Sequence, residues 1–486
     1  MIATDTLSGL DPHRVAPVAR TGALSPVVII YLLMVAIPIG VSLGPLLMTG
    51  VRLVLMVMIV PLMVRMFMGH YGRILATDIL FVLHIGWMVV SLIVNNPSQV
   101  IEQTGSVGME FLGGYVVGRA YIRSRADFIA LVRMLIAMVL CMAPLAVFEA
   151  VSGKALLIEM LDKLPGVRTV SVSTQDPRFG LRRVLMGFEH AIHFGLFCSV
   201  AFSLCFVGMS GTFSTARRFV TSAIITATCL LALSSGAFLA IAMQLGLIFW
   251  AKAFEGITRR WWILLGLMVT GYVVVDLLSN RTPIAVFMSY ATFSAHTAFW
   301  RGLIFEYGIQ NVWAHPIFGL GLKDWARPEW MPTGTVDNYW LLMGMRYGLP
   351  GFLTVTAGYI LIVFHVMRLQ VGTDEQLTML RRAWVFTFLG LSFTLCTVHV
   401  WTSIYSFVFF LLGAGVWFIT AVPESETDDP AAQDARRGDG DAPRGPVFAR
   451  AHGKDQIADT AAKPAATPAQ HRPATPQYSR FPHGKP

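Results

Sequence analysis

The chain has 486 residues, 55% hydrophobic and only 13% charged, which excludes an ordinary soluble globular protein. A formal charge of +9 would suggest nucleic acid in a soluble chain, but here many basic residues lie in short links between apolar runs, where they orient the chain in a bilayer. The five cysteines (Cys141, Cys198, Cys205, Cys229, Cys396) all fall inside apolar runs without CxxC spacing, so neither a disulfide framework nor a zinc site is expected.

Residues 1–24 are polar and read as a cytoplasmic lead. Runs near the roughly 20 residues a span needs then recur at about 26–48, 52–69, 77–95, 100–119, 127–149, 188–208, 218–234, 236–251, 261–279, 338–366, 383–399 and 402–420. The expected fold is therefore all-α and polytopic, with about twelve spans between residues 25 and 421. Charge tests this order. With the N-terminus inside, the cytoplasmic links carry Arg65 and Arg73; Arg119, Arg123 and Arg125; Arg217 and Arg218; Lys252, Arg259 and Arg260; then Arg368, Arg381 and Arg382. The short outer links carry Arg52 alone, as the positive-inside bias requires, and both termini are expected in the cytoplasm. The tail 422–486, rich in Ala, Pro, Asp, Gly and Arg, reads as disordered.

Two outer segments, 150–187 and 280–337, are too long to be turns, and loops of that length usually carry function. In the second, Trp300, Leu303, Ile304 and Tyr307 make one apolar face of a short helix, with Arg301 off that face. Gly319 and Gly321 suit a tight turn, and GLPG at 348–351 is expected to break the following span.

Chemistry-bearing residues collect in these segments. Arg168, Arg178, Arg182, Arg183, Arg281, Arg301 and Arg327 are unusual on the outer side, and guanidinium groups grip phosphate oxygens in pairs. A pyrophosphate cradle is one reading; headgroup anchoring is the bland alternative. His190 and His193, one helical turn apart beside Glu189, suit a general base or hydrogen-bonding role; no third ligand for a metal is evident. Asp337 is either a helix N-cap or a base for a hydroxyl. His315 is a weaker candidate. Glu110, inside a span, is a functional suspect that pairing with His84 would explain.

Arg301 followed by HPIFGLGLKDW, then Asp337, Asn338, Tyr339 and Leu341, then RYGLPG, resembles the O-antigen ligase and O-antigen polymerase superfamily. Upstream, RRVLMGFEHAIHFG and LSSGAFLA resemble its outer arginine–histidine region and its serine–glycine turn. The resemblance implies a metal-independent glycosyltransferase of the bacterial inner membrane, active on the periplasmic side without a cofactor. It would transfer glycan from an undecaprenyl pyrophosphate carrier to a sugar hydroxyl. On that reading Asp337 and His190 are catalytic. Arg301, Arg182, Arg183, Arg281, His193, His315, Asn338 and Tyr339 bind substrate. Donor glycan, acceptor glycan and bilayer are the expected partners, with chain-length regulators and export proteins beside them and no nucleic acid. Ligases of this family usually have histidine where Asp337 stands, so the expectation is a polymerase of repeat units for exopolysaccharide or O-antigen. A ligase acting on lipid A–core or protein is the alternative, and a lipid-glycan flippase is the alternative from another class. Relatives often carry arginine at the position of Ser235, so that phosphate ligand must come from elsewhere.

Overall fold

Backbone amides in lipid have no water to bond, so long apolar runs become helices. The computed structural model describes residues 23–43, 46–169, 177–178, 180–280, 283, 286, 295–331 and 334–420. All lie in the first of two units, Met1–Val422; the lead 1–22 and the tail 422–486 lie outside the described residues. Among them, eight helices are long and apolar enough to cross a membrane: Gly50–Phe67, Ala76–Asn95, Arg125–Ser152, Ala191–Gly208, Ser235–Ala253, Arg260–Leu278, Tyr339–Arg368 and Thr402–Thr420.

The other four expected spans differ from this pattern. The first is not the 26–48 run: helix α1 covers only Pro26–Ala36. Pro38 biases Ile37 out of helical geometry, and Gly40–Leu43 (β1) pairs antiparallel with Leu46–Thr49 (β2). Eleven residues rise about 16 Å, roughly half of a hydrocarbon core. The 100–119 run is helical throughout, but a π-helix at Thr104–Gly113 separates Val100–Gln103 from Gly114–Tyr121. Thr215–Leu230 has sixteen residues, and Glu375–Leu395 carries Glu375, Arg381 and Arg382 near its start.

The helices gather their basic links at one end. There Arg119 donates to the carbonyl of Arg73 (2.8 Å) and pairs with buried Asp78 (2.9 Å). Arg123 lies over Tyr71, and Arg125 pairs with Asp374. At the other end Gly40 bridges Arg168, the Val184 amide reaches the Leu231 carbonyl (3.1 Å), and His190 meets Trp401. Links expected on one side of the bilayer thus meet in space. Between the ends, Gly114–Tyr121 crosses Thr402–Ala414 at close range. A Cβ at Gly114 would sit 2.3 Å from the Ser406 carbonyl, and one at Gly118 2.1 Å from that of Phe410. This is the small-xxx-small contact that lets membrane helices approach. Glu110 is paired with Arg52 (2.7 Å), not with His84, whose ring nitrogen lies 2.9 Å from the Gly351 carbonyl.

Candidate functional site: a charged cavity at the broken helix

Two helices frame the site. The first, Ala295–Ala314, is longer than the short helix expected. Its buried positions are Arg301, Ile304, Gly308, Asn311 and Val312, a helical stripe, so Arg301 lies on the buried face and not off it. The reason is that the helix is wrapped on two sides. Gly308 faces Leu341 and Met345, while the loop beyond folds back so that the Asn311 amide group donates to the Ala326 carbonyl (2.8 Å) and accepts from the Ala326 amide (2.9 Å).

The second helix, Tyr339–Arg368, is broken at Gly348 (φ 68°, ψ −175°), as the GLPG motif predicted. That conformation is nearly exclusive to glycine. A break releases carbonyls from the helix, and buried carbonyls need new donors. Leu320 N–H donates to Met345 O (2.7 Å), Gly321 N–H to Arg346 O (2.9 Å) and the Trp87 indole to Tyr347 O (2.8 Å). In return Leu349 N–H donates to Pro316 O (2.7 Å). Ser91 and Asn95, on Ala76–Asn95, hold the Phe318 carbonyl (2.6 and 3.2 Å). The PIFGLGL turn is therefore stitched into the break, with Gly319 and Gly321 both at φ 64°.

Above this junction lies a cavity of about 630 Å³ lined by His190, Lys323, Asp324, Trp325, Asp337, Arg346, His399 and Trp401, among others. Its volume falls in the range of small-molecule sites. The Asp337 carboxylate is not the helix cap: Asn338 fills that role, its side-chain oxygen accepting from Leu341 N–H (3.0 Å). Asp337 is left at the cavity wall, where burial raises its pKa and the Arg301 charge partly offsets the rise. Arg301 is in turn lowered by burial, with Asp337 opposing and Arg178 adding.

His190 caps Ala191–Ser203 by accepting from the Ile192 amide (3.1 Å). Burial, then the charges of Arg183 and Arg178, push its pKa down to about 4, so the ring is neutral near pH 7 and able to accept a proton. Those two arginines hold the LSSGA turn: Arg178 donates to the Leu233 carbonyl (2.8 Å) and Arg183 to that of Ala232 (3.4 Å). Leu233 itself is at φ 45°, a strained value for a non-glycine residue. Arg178 thus stands beside the turn where Ser235 supplies no charge.

The other sequence candidates are placed differently. Arg182 donates to the Gly153 carbonyl. His193 is buried with its ring 4.1 Å from Trp401 and is not on the cavity wall. His315 is exposed and also away from the cavity. Tyr339 is fully buried against Trp340 and Tyr405. Arg281 lies outside the described residues. Trp325 lines the cavity and donates to the Gly334 carbonyl (2.9 Å), an aromatic face on the wall that offers a stacking surface for a sugar. Arg346, His399 and Trp401 were missed. An arginine seven residues into a span is a signal that could have found the first, and the VHVW step between two apolar runs could have found the others.

No match to the chain was found among curated proteins. A family model described as O-Antigen ligase matches residues 219–356, which run from the helix before the LSSGA turn to just past the break at Gly348. This match, together with a bundle of apolar membrane-length helices, supports the O-antigen ligase/polymerase superfamily, a class of glycosyltransferase-like membrane enzymes acting on lipid-linked glycans.

Proposed function

We propose that the protein polymerises undecaprenyl pyrophosphate-linked repeat units on the periplasmic face of the bacterial inner membrane. The observation that carries this reading is that Asp337 and His190 share one cavity while Arg301, Arg178 and Arg183 press their charges on them. In the reaction the acceptor hydroxyl oxygen bonds to the anomeric carbon of the donor sugar. The bond from that carbon to the phosphate oxygen breaks, and the carrier pyrophosphate leaves with the electron pair. The hydroxyl proton passes to Asp337, with His190 as the neutral base beside it. Arginines oppose the charge growing on the leaving group, which is the main electrostatic task of the step. Asp337 where ligases usually have histidine supports a polymerase. One observation favours a ligase: His190 and His399 reach the same cavity from other elements.

Purified protein given carrier-linked repeat units should produce a ladder of longer carrier-linked chains. Chains that grow only when lipid A–core is added, and end on it, would replace polymerase by ligase; carrier-linked units moved across vesicles without elongation would replace both by a flippase.

The elongation rate should also carry an acid limb. The ionised form of Asp337 is the active one, and its pKa is raised by burial. Activity is therefore full at higher pH and falls, as pH drops, at a value above the ordinary carboxylate pKa of about 4. His190, neutral above about 4, does not set that limb. Asp337→Asn should lower the rate about 10²–10⁴-fold and flatten the limb. A limb unchanged in Asp337→Asn would remove this residue from the proton transfer.

A further inference from the structure

The proposed chemistry uses Asp337, His190 and the arginines around them, but leaves Arg346 without a task. Arg346 lies seven residues into Tyr339–Arg368, about 10 Å along the helix axis. A cation at that depth is retained at a cost that a counter-charge or a water-filled space must offset. Among the described residues no carboxylate pairs with it. Asp324, the other acid on the cavity wall, is held by Arg327 (2.6 Å), and Arg301 is the charge set against Asp337. Arg346 lines the cavity together with Lys323 and lies close enough for its charge to act on His399, while the Lys323 ammonium touches only the Asn95 side chain (3.4 Å) in the described hydrogen bonds. The position is fixed with care: the Arg346 carbonyl is held by the Gly321 amide and the Ser91 hydroxyl. The broken helix thus presents a cation to the cavity at a set place, with no protein anion to answer it.

Resting on the polymerase reading, we infer that Arg346, with Lys323, forms an anion subsite for a carboxylate on the glycan, so that the enzyme acts on repeat units containing an acidic sugar. The anion could come from two sources, a sugar carboxylate or the departing pyrophosphate. The arrangement of the arginines favours the first. On the polymerase reading the pyrophosphate draws on Arg301, Arg178 and Arg183, which stand behind the cavity wall with their charges acting on Asp337 and His190. Arg346 reaches the same cavity from a different element, stitched to the Pro316–Leu322 turn.

The test measures binding alone, so that it stands apart from whether the protein is a polymerase. Short carrier-free oligosaccharides containing a hexuronic acid are titrated against the full-length protein in nanodiscs, beside the same oligosaccharides with the carboxyl reduced to an alcohol. Wild-type protein should prefer the acidic form by at least about tenfold, the range of a charge-assisted hydrogen bond. Arg346→Gln should bring the two within twofold, while Arg346→Lys keeps part of the preference. Equal or absent binding of both forms to the wild type overturns the inference without needing any variant. A preference that survives in Arg346→Gln overturns it as well. Inorganic pyrophosphate is the control: if Arg346→Gln weakens pyrophosphate binding and leaves the sugar preference intact, the subsite belongs to the leaving group.

Discussion

Arg301→Ala should reduce elongation about 10²–10³-fold, the usual loss when one preorganised charge donor is removed from a transition state. Arg301 is only 8% exposed, and its neighbours give the substitution two consequences. The leaving pyrophosphate loses a cation placed inside the protein, where water cannot substitute for it. At the same time Asp337 loses the charge that offsets its burial, so its pKa rises further. The acid limb of the rate should therefore move to higher pH in Arg301→Ala, whereas a residue that only anchors the loop would lower the rate without moving the limb. Arg301→Lys, which keeps the charge but not the forked donor, should recover part of the rate and most of the limb position. Elongation undiminished in Arg301→Ala would remove this residue from the site.

Gly348→Val should fail earlier, at the level of folding. A side chain at φ 68°, ψ −175° costs about 1–3 kcal/mol in backbone strain. Its Cβ would also stand 2.1 Å from the Ile317 carbonyl oxygen, a backbone atom that cannot swing aside. Relieving that clash pulls the turn from the break and loses the bonds Leu320–Met345, Gly321–Arg346 and Leu349–Pro316, each worth about 0.5–1.5 kcal/mol net. The total, on the order of 3–7 kcal/mol, is a large fraction of the 5–15 kcal/mol that holds a typical domain. Thermal unfolding in detergent should show a clearly lowered Tm or loss of the folded fraction. Gly302→Ala on the neighbouring helix, where an added Cβ meets nothing within 4 Å, is the matched control. An unchanged Tm in Gly348→Val would mean that the break is not held as described.

The amino-acid pattern was enough to read a set of long apolar helices, the meeting of the Arg73, Arg119 and Arg125 links, and a break at GLPG in the helix after Asp337. These follow from local rules: apolar length, charge alternation, and a glycine-rich motif next to proline. The same rules misplaced the first span, because apolarity between 37 and 48 outweighed Pro38 and the hairpin that follows it. They found the packed face of Trp300, Leu303, Ile304 and Tyr307 but not that Arg301 beside it is buried too, because the helix is wrapped on two sides. Which candidates share a cavity depends on contacts between distant segments and was not legible in the pattern. His190 and Asp337 come together because the start of Ala191–Ser203, the GLGLKDW segment and the step before Thr402–Ala414 meet around one cavity, whereas His193, one helical turn further on, packs its ring on Trp401. Arg346 was legible as a residue but not as a cavity wall. Its direction depends on a helix broken two residues later and on carbonyls that amides 25 residues upstream come back to hold. Local pattern fixes which segments become helices; where their polar side chains converge is set by contacts between segments far apart in the chain.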